Sequence, residues 1–477
     1  MNTRRTFLKN AAITGIAAIP INSSLKSLII NDAEPSSLDN CRKYCRIEVV
    51  EEGSGLPVPL VELQTVHQQR FITDNAGVIA FDEPELMGRE VWFNINGYGY
   101  GVKPDSFGYA GVRLKPEAGT TLRVEVQRNC LAQRIGRITG AGLPAESQKI
   151  GEYSNVAESG IVGCDSIQIA EYEGKTFMVW GDTSLARYPL GIFHSSAAMT
   201  SLNPFPNPAP PIFPAFNYFR DDKGVVRGVA KMPGSGPTWL SGLVSLPSAN
   251  GKQRLCAVYT KITPPLEAYE CGLCVWNDKS QSFELLKVIW TKSDSLPKMP
   301  PLPDGHSVIW RTPTGEKQVL FGDPLPRMRC KATFEAWQNP SEWQQIEHQK
   351  TIASPKDNTL IEPHSGSIAW NGYLKRWVAI FMQKFGKPAA FGEVWYAEAS
   401  SPTGVWGNAV KILSHGNYTF YNPRLHAEWT PPDAPYLLFE GTFTATFADK
   451  PPIVPRYDYN QILYRLDLKD FQFSSRP

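Results

Sequence analysis

Apolar and polar residues alternate from Ser166 to Tyr172, break at Glu173-Gly174, and resume as an apolar run from Lys175 to Trp180. A period of two marks a half-buried strand, and two such runs around a Gly turn mark a β-hairpin. Hairpin strands are antiparallel, so the start of the first lies beside the end of the second. The pattern therefore predicts Asp165 and Asp182 at one rim.

The pattern recurs. In Gly305-HSVIWRTPTGEKQVLFGD-Pro324, the spacing from Ser307 to Asp323 equals that from Ser166 to Asp182, and His306 stands where Asp165 did. Weaker copies are His364-SGSIAWNGYLKRWVAIFMQ, Asn422-Pro423 leading to Tyr436-LLFEGT, and, with a longer turn, Pro237-TWLSGLVSLPSANGKQRLCAVYTK. Repeated units of this kind are the signature of a β-propeller built from four-stranded blades. Upstream, after Cys45, short alternating strands are punctuated by Gly-Ser-Gly, Asp-Asn-Ala-Gly and Glu-Leu-Met-Gly, the pattern of a small β-sandwich.

The expectation is an all-β protein, a small N-terminal β-sandwich followed by a five-bladed β-propeller. Residues 1–26 read as an export signal, 27–43 as a flexible leader, 44–128 as the sandwich, 129–159 as a connection and 160–477 as the propeller. The Pro-rich run Asn203-PFPNPAPPIFP-Ala215 cannot be sheet. It is either a stiff surface loop or a wall beside the pocket.

Thr3-Arg4-Arg5-Thr6-Phe7-Leu8-Lys9 precedes a short apolar run from Ala11 to Ile21. It resembles the twin-arginine export signal of bacteria, which implies the periplasm or the cell exterior. No other segment is long and apolar enough for a membrane helix.

The chain has 477 residues and a formal net charge of +2, so nothing in its charge points to nucleic acid or an anionic membrane. Its 38 Gly, 40 Pro, 13 Trp and 18 Tyr suit many short strands joined by turns. Cys271-Gly-Leu-Cys274 has C-x-x-C spacing, but it precedes an apparent strand and has no second pair for zinc, so a structural role is expected. A disulfide from Cys41 or Cys45 is compatible with export, with no partner readable.

If each unit's first strand is innermost, a ring of residues faces the central cavity. First-strand starts supply Asp165, Thr238, His306, His364 and His426; second-strand ends supply Asp182, Lys261, Asp323, Gln383 and Glu440-Gly441. Crowded carboxylates with basic neighbours split in pKa, as acid–base work requires. Paired carboxylates across a sugar-sized gap are what glycosidic bond cleavage needs. Trp180, Tyr188, Trp239, Trp370, Tyr418 and Tyr421 flank the rim as stacking faces for sugar rings, with blade core the favoured reading for Trp180 and Trp370; Trp239, Tyr421, Gln383 and Asn422 are read as substrate-binding. The three ring His can hydrogen-bond sugar hydroxyls or hold a metal, which spacing does not decide; no cofactor is called for, and a cavity cation stays open. Lys261 would bind a uronate or sulfate, or neutralise Asp182. Glu267 and Glu270 read as solvated edge charges.

Gly392-EVWYAEASSPTGVW-Gly407 resembles a hairpin common in five-bladed propeller glycoside hydrolases of the family 43, 62 and 117 type, and Gly181-Asp182-Thr183 is similar to a run in a related group. The phrase G-x-P-V-P-x-V-x-L … T-D-x-x-G of the first part resembles prealbumin-like or carboxypeptidase-regulatory sandwich modules, which act as spacers or docking units. The resemblance implies an exported hydrolase acting on a glycan, with Asp165 as base or water-orienting residue. The family's acid Glu has no clear match; Glu440 is the best candidate and Glu393 a poorer one. As base and acid, the candidates are Asp165 or Asp182 and Glu440 or Asp323. A non-catalytic glycan-binding propeller, and a lyase using Lys261 at a uronate, are the alternatives.

Overall fold

The computed structural model describes residues 43–192, 194–449 and 451–469. The export signal and Cys41 fall outside the described residues. Among those described, no helix is long and apolar enough to cross a membrane.

The N-terminal part is a sandwich of two four-stranded sheets. One orders Val78–Phe81, Cys45–Glu51, Thr121–Arg128 and Tyr100–Gly101; the other orders Arg70–Ile72, Glu62–Thr65, Val91–Asn96 and Gly111–Leu114. The alternation in Cys45–Glu51 sends Cys45, Ile47 and Val49 inward, where Phe81 meets Phe93 edge-on at 5.6 Å. Arg46 and Glu48, on the other face, pair at 2.7 Å.

The rest forms five blades. Blade 1 comprises Ile167–Tyr172, Lys175–Trp180, Ser196–Thr200 and Asn217–Tyr218; blade 2 comprises Thr238–Pro247, Gln253–Thr263, Glu267–Asn277 and Ser282–Thr291. Blade 3 comprises His306–Arg311, Lys317–Gly322, Pro326–Lys331 and Gln344–Gln345; blade 4 comprises Pro363–Asn371, Arg376–Gln383, Glu393–Ala399 and Trp406–Ser414. Blade 5 takes Thr419–Leu425, Tyr436–Thr444 and Asn460–Asp467 from the C-terminal end, and its fourth strand, Gln133–Arg137, from upstream of blade 1. A segment expected as irregular connection thus closes the ring.

Because side chains alternate, each strand feeds the cores on both sides of its blade. Cys271 packs between blades 2 and 3, and Cys274 between blades 1 and 2. The two thiols of the C-x-x-C run therefore lie on opposite faces of one strand, which is a packing role. No disulfide joins the described cysteines; Cys45 is buried with its sulfur 3.5 Å from Thr120 Oγ1.

The sandwich is bound to the closing strand. Asn75, from its Thr73-Asp-Asn-Ala-Gly77 turn, accepts from Arg137 N at 3.0 Å and donates to Arg137 O at 2.7 Å and Ile212 O at 2.9 Å. Arg134 reaches back to Pro59 O and Leu60 O at 2.9 and 3.0 Å, and to Gly97 O at 2.7 Å. The Pro-rich run is a strap with Phe205 and Ile212 buried. It leaves blade 1 after Thr200, which pairs with Thr176, whereas the Asp165 end of that blade carries the Trp180–Ser196 pair. The strap therefore starts at the end away from Asp165, which removes the pocket-wall reading.

Candidate functional site at the propeller mouth

The innermost strands of all five blades begin at one end, and the site is built there. Gly181 N donates to Asp165 O at 2.8 Å, so the hairpin rim holds Asp165 beside Asp182 as its pattern predicts. A Cβ on Gly181 would lie 2.1 Å from Asp165 Oδ1. Glycine is needed there because the carboxylate occupies the space of a side chain.

Each carboxylate of this pair is held by an aromatic residue of a neighbouring blade. Tyr421 OH donates to Asp165 Oδ2 at 2.6 Å, and Trp239 Nε1 donates to Asp182 Oδ1 at 3.1 Å. Tyr459 hydrogen-bonds Tyr421; its own hydroxyl is held well above the ordinary 10.0 by burial first, then by the charges of Asp165 and Asp182. The third carboxylate, Asp323 of blade 3, accepts at Oδ1 from Gly366 N at 2.9 Å and Ser365 Oγ at 2.7 Å. Ser365 Oγ is also 2.9 Å from Asn422 Oδ1, and Asn422 Nδ2 is 2.8 Å from Ser166 Oγ. Ser365 has one proton for two acceptors. With the Asn422 amide turned over, its NH2 serves Ser365 and its carbonyl takes the Ser166 proton, so each of the two contacts has one donor and one acceptor. A polar chain thus joins blades 3, 4, 5 and 1 across the mouth.

Other predicted positions are placed differently. Glu440 has no exposed surface and meets His426 Nε2 at 2.9 Å, while His426 Nδ1 is 3.1 Å from Glu428 and its ring stacks on Trp429 at 3.7 Å. Thr419–Leu425 is the inner strand of blade 5, and His426 follows it instead of starting it. The local irregularity is a register shift between Tyr421 and Arg424, with Asn422 at φ +50°. A proton donor sealed inside a blade does not touch a dissolved glycan, so Glu440 and His426 leave the mouth. The same correction applies to Glu393, buried against Lys411 at 2.8 Å and Ser414 at 2.9 Å.

Lys261 is fully buried, and its ammonium donates to Met232 O, Gly234 O and Gly236 O at 3.2, 3.1 and 2.9 Å. It serves a turn, not a uronate. Thr238 is buried beneath it, with Oγ 3.4 Å from Lys261 Nζ. His306 and His364 are half-buried at the starts of their strands, as is Gln383 at the end of its own. Trp180 is core, and Tyr418 is buried with its hydroxyl on Asp458 at 2.7 Å. Trp370 is 48% exposed beside Trp377, at the opposite end of its strand, so its core reading is corrected. Tyr188 is exposed. Glu267 pairs with Lys292 at 2.7 Å, and Glu270 accepts from Tyr259 OH at 2.9 Å.

The sequence pattern missed Tyr459, Ser365 and His194, which accepts from Thr238 N at 3.3 Å. Burial, then Lys261 and Lys231, lowers the His194 pKa below 6.5. None of these residues stands at a strand start or end. Among the described residues, no group of three or more His, Cys, Asp or Glu is arranged to hold a metal ion.

No family model and no curated relative matches the chain. Solved structures with a similar course include an exo-1,5-α-L-arabinanase from a bovine ruminal metagenomic library, 12% identical with a TM-score of 0.35 over 63% of this chain and 92% of that one. The GH43_1 enzyme of Xanthomonas citri complexed with xylose is 8% identical, with a TM-score of 0.35 over 66% of this chain and 90% of that one. An N-acetylgalactosamine deacetylase from F. plautii, in complex with blood group B trisaccharide, is 10% identical with a TM-score of 0.38 over 71% and 95%. Likeness this distant carries no conclusion about activity. The class defined by this chain's own strand order is an all-β protein with a sandwich bound to a five-bladed propeller.

Proposed function

We propose that the protein is an exported glycoside hydrolase that cleaves a polysaccharide or oligosaccharide at the propeller mouth. The observation that carries this reading is the placing of Asp165 and Asp182 side by side over Gly181, each fixed by a donor from another blade. Hydrolysis of a glycosidic bond needs a base or nucleophile and a proton donor on opposite sides of the bond. Asp165 is the base. With Glu440 inside the blade, the candidate proton donor is Asp323, positioned by the Gly366 and Ser365 bonds to its Oδ1. Asp182 keeps the local field negative as positive charge develops on the sugar.

A second reading has an observation of its own. The mouth carboxylates each take a bond from another blade, which is also what stapling the ring requires, so a glycan-binding propeller without turnover fits the same contacts. The lyase reading loses its cation, because Lys261 points into a turn. Export rests on the Thr3–Lys9 motif; fractionation of cells carrying Arg4→Lys with Arg5→Lys tests it, and an unchanged periplasmic fraction would refute it.

The test of the activity is a panel of plant, algal and bacterial polysaccharides, following reducing ends together with absorbance of unsaturated products. New reducing ends without unsaturation are expected. Unsaturated product would establish a lyase, and retention on a polymer without product would establish the binding reading.

A further inference from the structure

Phe385 sits in the turn after Gln383, at φ +50° and 62% exposed. A bulky side chain in the left-handed region is strained, and a ring in water forgoes burial. Two costs at one position point to a use.

Phe385 begins a run of rings. Its centroid is 6.0 Å from Phe391; Phe391 is 4.7 Å from His364 and 6.4 Å from Phe447; and Phe447 is 5.2 Å from Tyr421. Tyr421 is the residue whose hydroxyl holds Asp165. The run therefore extends from an exposed ring to the candidate base. Polar groups edge it. Gln383 Oε1 lies close over Gly386, and Lys384 Nζ is bound to Glu362 Oε1 at 2.5 Å while standing 5.9 Å from the Phe385 ring centre.

We propose that Phe385, backed by Phe391, is a stacking platform for a neutral pyranose unit of the glycan, at the outer end of the ring run that leads to Asp165. The inference rests on the glycosidase reading above. A pyranose has an apolar C–H face that covers an aromatic ring and a rim of hydroxyls that take bonds from amides and carboxylates. The Gln383 amide and the Lys384–Glu362 pair supply that rim. The unit is neutral because Lys384 is already engaged by Glu362, Lys261 is buried, and Asp165 and Asp182 gather negative charge at the mouth.

The test is affinity electrophoresis of the full chain, in an Asp165→Asn background that stops turnover, through gels containing arabinogalactan, β-1,3-glucan or polygalacturonate. Phe385→Ala is expected to raise Kd for the retaining neutral polymer by about tenfold, and Phe385→Trp to restore retention. The position is exposed, so neither change threatens folding. Unchanged retention of Phe385→Ala would overturn the platform while leaving the glycosidase reading standing. Stronger retention on polygalacturonate than on the neutral gels would overturn the neutral class. A parent that no glycan retains would overturn the glycosidase reading, and the platform with it.

Discussion

Arg134 is the most consequential single side chain for holding the ring closed, and Arg134→Met tests why. Its guanidinium, 1% exposed, gives Nη1 to Pro59 O and Leu60 O, Nη2 to Gly97 O and Tyr98 O, and Nε to Tyr464 OH. It also lies 5.1 Å from the Tyr100 ring centre. The first four acceptors belong to the sandwich, whereas Arg134 lies on the strand that closes blade 5. Methionine fills similar volume without a donor. Each abandoned buried acceptor costs about 1 kcal/mol or more, and second lone pairs and entering water recover part, so the expected loss is about 3–5 kcal/mol. At about 2 °C per kcal/mol for a large chain, Tm falls by roughly 6–10 °C. Scanning calorimetry of the full chain measures it, with Arg134→Lys expected to lose less because it keeps the charge and some donors. A Tm within about 1 °C of wild type would refute the claim that this fan of bonds ties sandwich to propeller.

Other outcomes follow from the same geometry. His415 is buried with Nε2 2.7 Å from Tyr464 OH, and burial, then the Arg134 charge, holds its pKa well below 6.5. The unfolded chain therefore binds a proton that the folded chain refuses: stability is full above pH 6.5 and falls as pH drops below it. A plot of Tm against pH should show that fall in wild type and lose part of it in His415→Asn; identical slopes would contradict it. Gly181→Ala should cut glycan cleavage by about a hundredfold through displacement of the Asp165 carboxylate, with little change in Tm. Retained activity in that variant would show that Asp165 need not sit over residue 181.

The hairpins were legible because one face of each strand is buried, which imposes the two-residue period on the sequence. Asp165 beside Asp182 follows from hairpin geometry alone. Blade 5 was misread because the register shift after Tyr421 breaks that period, which advanced the apparent start to His426 and brought Glu440 with it. The closing strand Gln133–Arg137 was hidden because its partner, Asn460–Asp467, lies more than three hundred residues away, and no local pattern encodes such a pairing. Lys261 shows the limit of reading charge by position: its strand register is that of a mouth residue, yet the turn at Met232, Gly234 and Gly236 supplies carbonyls that draw it inward. Phe385 lay in a turn, where hydrophobic periodicity says nothing.

The central claim is that chemistry occurs at Asp165. Once the panel has identified a cleaved polymer, kcat on that polymer decides it, compared among wild type, Asp165→Asn and Tyr421→Phe, with binding measured in parallel. The account predicts a fall of about a thousandfold or more for Asp165→Asn with binding retained, and a smaller fall for Tyr421→Phe, which loses one bond to the carboxylate. Asp165→Asn turning over at the wild-type rate would contradict it and move the reaction elsewhere on the protein.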